Sequence, residues 1–219
     1  MSHASAFCLA VLSGGATRSV CDVLVQTTVD RKTFPDEIDW RRTGLFATFG
    51  FVFVGAWQYA LYSRFLPRVF TSTASFVAKP LREKLKDRRG MREMWCQVGV
   101  ENLVNQPLLH FPVFYSLKHL IETPSASPIE CLENGARTAW QNVVPDNKAS
   151  LAVWVPAQVV NFGFFPVQLR VPVMAVFGMT WTSWLSWKRG ALSVSSDGND
   201  QPLAAAAASL VVRPSIRPE

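Results

Sequence analysis

Residues 44–63 read GLFATFGFVFVGAWQYALYS, twenty positions without a single charge. A hydrocarbon core about 30 Å thick takes about 20 helical residues to cross at 1.5 Å each, so this stretch has the length and composition of a membrane helix. Its neighbours extend the pattern. Residues 4–29 are apolar apart from a polar line of Arg18, Asp22 and Gln26, whose spacing of four places them on one arc of a helix. That arc is expected to face other helices, and Ala6, Ala10, Gly14 and Gly15 on the same helix permit close backbone approach.

Further along, residues 94–117 carry one charge, Glu101, and two prolines, Pro107 and Pro112, which predicts a kinked span. Residues 149–169 form another uncharged block. Residues 171–187 are uncharged and rich in tryptophan, and are expected to fold back after the break at Pro166 and Pro172. The fold class expected is therefore all-α, a polytopic transmembrane bundle of four to five embedded helices near 5–29, 44–66, 94–121, 149–169 and 171–187. Between these blocks, residues 79–93 read as a basic surface helix broken near Gly90, and residues 128–144 as an interfacial helix with Ile129, Leu132 and Trp140 toward the apolar side. Residues 1–190 make the membrane domain. Residues 191–219 are a low-complexity tail with too little apolar surface to order itself, expected to dock on a neighbouring subunit.

Composition agrees. The chain of 219 residues is 49% hydrophobic and only 17% charged, against about 25% charged in ordinary soluble domains. Its net charge of +6 is concentrated, since nine of the 22 Lys and Arg fall between Arg64 and Arg92. With no recognition motif beside it, that clustering describes a basic loop near a membrane better than a nucleic-acid surface. Cys8, Cys21, Cys96 and Cys131 are scattered without ligand or framework spacing, so no metal site is expected. The N-terminus lacks both the basic start of a secretory signal and an Arg-rich presequence, so any organelle address is expected to be internal.

The chain carries no GxSxG, no phosphate-loop lysine motif and no HExxH, and neither a catalytic residue nor a cofactor is expected. More informative are the charges at membrane depth, because each costs about 2.5–3.5 kcal/mol or more unless paired or hydrated. Arg18 with Asp22 and Arg170 with Glu101 are the expected pairs, with several backbone carbonyls as the alternative for Arg170. Two uses remain open for these groups together with Gln26, Asn102, Asn105, Gln158 and Asn161. They fix helix register, or they line a hydrated path.

The stretch WVPAQVVNFGFFPVQLR followed by WTSWLSWK is similar to the C-terminal signature of the Mpv/PMP family of small organellar membrane proteins. The residues carrying the resemblance are Trp154, Gln158, Asn161, Phe162, Pro166, Arg170, Trp181, Trp184, Leu185 and Ser186. Upstream, Cys21–Asp22 and Glu101–Asn102 stand where the family has Gly-Asp and Asp-Gln, Trp184 replaces a tyrosine, and Pro156 is displaced by one position. The resemblance implies four transmembrane helices, the mitochondrial inner membrane or alternatively the peroxisomal membrane, and no cofactor. The function expected is a non-enzymatic accessory subunit of a larger membrane complex. The alternative is a channel or metabolite-passage protein.

Overall fold

The computed structural model describes residues 2–180, which are helical apart from short connections; among these residues there is no strand. The helices are α1 (His3–Thr28), α2 (Trp40–Val69), α3 (Thr73–Ala78), α4 (Leu81–Lys84) and α5 (Arg88–Gly99), then a π-helical stretch Val100–His110 that leads into α6 (Phe111–Glu122). After these come α7 (Pro128–Phe164) and α8 (Val167–Thr180). Among the described residues two compact units result, one holding residues 2–100 and 156–180, the other Glu101–Val155.

Two helices, α1 and α2, are long and apolar enough to cross a membrane. The expectation of four to five spans is thus matched by length and composition in two. The third block runs through a π-helical stretch that holds Pro107, and it carries Glu101, which dilutes its apolar character. Of the last two blocks, Ser150–Phe164 and Val167–Thr180 are apolar but shorter than a span requires.

Capping side chains explain where three of the helices begin. Ser2 caps α1 by accepting from Ser5 N at 3.2 Å, Asp39 caps α2 by accepting from Arg42 N at 3.0 Å, and Asp87 caps α5 by accepting from Gly90 N at 2.9 Å. The cap at Asp87 corrects the expected break near Gly90. The basic segment is interrupted before α5 starts, and Gly90 lies inside it, packed against the Phe76 ring where a Cβ would collide. The expected interfacial helix at 128–144 and the span at 149–169 are likewise one helix, the 37-residue α7. Pro145 and Pro156 each forfeit one hydrogen bond without ending it, and the chain leaves the helix only at Phe165 and Pro166.

In the first unit α1 and α2 form an antiparallel hairpin with a seam of small residues. A Cβ on Gly14 would sit 2.6 Å from the Gly50 carbonyl oxygen and 2.8 Å from Gly55 N, so the backbones touch there. Tyr59 closes the open end of the hairpin by donating to the His3 carbonyl at 3.1 Å and packing edge-on against Phe7. In the second unit α6 packs on α7 around buried Phe111, Tyr115 and Ala139. Tyr115 donates to Asp146 Oδ2 at 2.6 Å, and Ser150 to Gln106 Oε1 at 2.9 Å.

Candidate functional site

The polar line of α1 meets the start of α2 in a buried cluster at the loop end of the hairpin. Arg42 Nε donates to Asp22 Oδ1 at 2.8 Å, and its Nη1 to Asp30 Oδ2 at 2.9 Å. The other Asp22 oxygen accepts from Thr43 Oγ1 at 2.7 Å and from Gln26 Nε2 at 2.8 Å. Gln26, fully buried, takes Asp39 N at 2.7 Å and Lys32 Nζ at 3.1 Å on its Oε1. One carboxylate and one amide thus tie α1, the loop and α2 together, and the desolvated groups satisfy one another.

The expected Arg18–Asp22 pair is replaced. The oxygens of Asp22 are occupied by Arg42, Thr43 and Gln26, while the Arg18 guanidinium lies 6.0 Å over the Phe49 ring. Arg42 was not singled out by the sequence analysis as the partner of Asp22. Its available signal was Asp39 three positions earlier, the spacing of a helix cap that draws Arg42 into the first turn.

The second cluster of this unit is built around Arg170, which is fully buried. Its Nη1 donates to Gln97 Oε1 at 3.0 Å, its Nη2 to the Phe162 carbonyl at 3.3 Å and its Nε to the Phe165 carbonyl at 3.3 Å. The Phe162 ring stacks beneath it at 4.9 Å. Gln97 is held in turn by donating to Thr73 Oγ1 at 3.0 Å and the Glu93 carbonyl at 3.2 Å. A helix leaves its last carbonyls without partners and carries partial negative charge at that end. Pro166 stops α7, the chain reverses, and Arg170 returns its fork to those carbonyls. Glu101, the acid expected beside Arg170, belongs to the other unit; the acceptors found for Arg170 are carbonyls and an amide.

One turn earlier on α7, Gln158 Nε2 donates to the Tyr62 hydroxyl at 3.1 Å, and Asn161 Nδ2 to Gln158 Oε1 at 3.3 Å. The Tyr62 ring meets Phe162 edge-on at 5.2 Å. Gln158, Asn161, Phe162 and Arg170 therefore form one buried patch, with exposed Pro166 as the turn that makes it. Thr73, Gln97 and Tyr62 were missed as partners, since an isolated polar residue in an apolar block gives no sign of its neighbour.

In the second unit Glu101 is buried and accepts Asn105 Nδ2 on both oxygens at 3.1 Å, while Asn102 is buried and Trp154 half-buried. Trp181, Trp184, Leu185 and Ser186, and the tail 191–219, lie outside the described residues.

A sequence profile described as the Mpv17 / PMP22 family matches residues 132–186, the stretch that contains the α7 patch and its Arg170 cap. Over that stretch the chain is similar to the Mpv17 / PMP22 family. Protein SYM1 of Debaryomyces hansenii is 31% identical over 90 residues, covering 41% of this chain and 42% of that protein. The mitochondrial inner membrane protein Mpv17 of Drosophila melanogaster is 27% identical over 75% of this chain and 84% of its own length. The Mpv17 protein of Danio rerio is 25% identical over 81% and 86%. The match thus spans less than half of the SYM1 protein and most of both Mpv17 relatives. No solved structure matches the chain. With these relatives, the chain is a protein of the mitochondrial inner membrane.

Proposed function

We propose that this protein is a non-enzymatic accessory subunit of a larger complex in the mitochondrial inner membrane, with four to five membrane-embedded helices. The observation that supports this reading is the engagement of the signature residues. Arg170 is fully buried and its fork is taken up by Gln97 and two carbonyls, and Gln158 is bonded to Tyr62. Such residues set the shape of the chain. What they leave outside is apolar, including Leu12 and Val52 at about 60% exposure, a surface suited to lipid and to neighbouring subunits. The test is a native gel after extraction in mild detergent. Migration with a large assembly, persisting through a second dimension, supports the subunit reading, and migration of the whole population as a small particle overturns it.

A second reading, passage of a small polar solute, is favoured by one observation. Asn161 Oδ1 is buried and has no hydrogen-bond partner among the described residues. An acceptor of that kind is costly when dry and useful when wet. Release of a trapped polar solute from liposomes holding the purified chain, abolished by Asn161→Leu, would decide for passage.

A further inference from the structure

We propose that the segment 80–89, PLREKLKDRR, is a docking surface for anionic phospholipid at one end of the α1–α2 hairpin. The two ends of that hairpin differ in charge. Residues 30–42 hold four Lys or Arg and four Asp or Glu, whereas residues 64–92 hold nine Lys or Arg and two acids. The basic end follows directly from α2, a helix long and apolar enough to span a membrane that stops at Val69. Its charges therefore sit beside a leaflet.

Three of the nine cations hold the segment in shape. Lys79 Nζ pairs with Asp87 Oδ2 at 2.6 Å, and Arg89 Nε with Glu93 Oε1 at 3.0 Å. Lys84 is buried, with its ammonium 4.4 Å over Phe164 and 5.9 Å over Phe76. The remaining six, Arg64, Arg68, Arg82, Lys86, Arg88 and Arg92, are exposed and make no ion pair among the described residues. Between them stand Leu81 and Leu85, four residues apart and 58% and 68% exposed. Phe65 and Val69, at the end of α2, repeat the arrangement at 55% and 56%.

Leucines presented outward among unpaired cations suit a surface that is anionic at the headgroups and hydrocarbon just below, so a leaflet fits better than a nucleic acid, which offers the leucines nothing. A basic residue near an anionic membrane surface strengthens binding about fivefold. Binding is screened once salt shortens the Debye length to a few ångströms.

The full chain in neutral detergent is titrated with phosphatidylglycerol and, separately, with phosphatidylcholine, and bound lipid is counted by native mass spectrometry. Phosphatidylglycerol is expected to bind at concentrations at least tenfold lower, with the preference lost in 1 M salt. The triple variant R82Q/K86Q/R88Q should lose about tenfold or more, and L81Q/L85Q several-fold, with thermal unfolding in the absence of lipid unchanged. Inorganic phosphate at matched concentration should not compete. Equal binding of the two lipids by the native chain overturns the proposal without recourse to any variant. So does displacement by inorganic phosphate, which would make this a site for the free anion, or an unchanged triple variant.

Discussion

At the loop end of the hairpin Arg42 meets two carboxylates, 2.8 and 2.9 Å away, whereas Arg170 at the end of α7 is given two carbonyls and one amide oxygen. Both guanidiniums are buried at membrane-protein cost. The first is balanced by formal charge, which ties three chain segments to one ionic node. The second is balanced by the partial charge that any helix carries at its C-terminus, equivalent to about half an elementary charge. An ion pair depends on its partner side chain, while a helix end supplies its own acceptors. The two clusters should therefore fail differently when they are cut.

The largest effect is expected at Asp22. Asp22→Ala removes the acceptor of Arg42, Thr43 and Gln26 together and leaves a buried guanidinium short of one partner, for a loss of about 3–5 kcal/mol in thermal unfolding in detergent. Adding Arg42→Met to Asp22→Ala should restore part of that loss, because the uncompensated charge goes with the side chain. A double variant as unstable as the sum of its parts would remove the ion pair from the account.

Arg170→Met should cost less, about 1–3 kcal/mol, since what it strands are acceptors and not a charge. Arg170→Lys should recover only part, because an ammonium cannot present the planar fork that reaches Gln97, Phe162 and Phe165 at once. If Arg170→Met were as damaging as Asp22→Ala, the contrast between the two clusters would collapse.

Between the clusters runs the glycine seam. Gly14→Ala places a methyl group against the Gly50 carbonyl and the Gly55 backbone, which cannot move as a side chain can, so α1 and α2 must separate, at about 1–3 kcal/mol. Gly44→Ala, where a Cβ meets nothing within 4 Å, is the control and should be neutral or slightly stabilising. Equal effects of the two would mean that the seam is not a packing constraint.

What could be read in the sequence follows the range of the physics. Residues 44–63 announce a membrane helix because apolar length is a local property, and the small residues on α1 announce a close approach because size needs no partner to be recognised. The partner of a buried charge is not local. Asp22 offers four-residue spacing to Arg18, yet the contact that forms is twenty residues away with Arg42, because the hairpin turn brings the first turn of α2 to it. Arg170 was expected beside an acid or several carbonyls, and nothing in the sequence distinguishes those two until the chain reverses at Pro166. Prolines mislead in the same way. Pro145 and Pro156 lie inside α7 and only Pro166 ends it, where Arg170 is available to hold the last carbonyls.

The smallest effect concerns Asp87, which lies outside both membrane-length helices and combines two local roles. It caps α5 through Gly90 N and accepts Lys79 Nζ at 2.6 Å. The hydrogen bond from Lys79 and then the one from Gly90 N hold its carboxyl below the ordinary aspartate value of 3.8. A depressed folded-state value means that the carboxylate contributes stability above the unfolded value, and that this contribution fades as pH falls through the folded one. The native chain should thus unfold at a constant temperature between pH 7 and 5 as far as this group is concerned, and more easily below pH 4. Asp87→Asn keeps a side-chain oxygen for the cap but loses the charge toward Lys79. Its unfolding temperature should lie slightly below that of the native chain at pH 7 and converge with it in acid. A gap of constant size from pH 7 down to pH 3 would show that Asp87 acts through its cap geometry alone, and a wider gap in acid would contradict the sign of the argument.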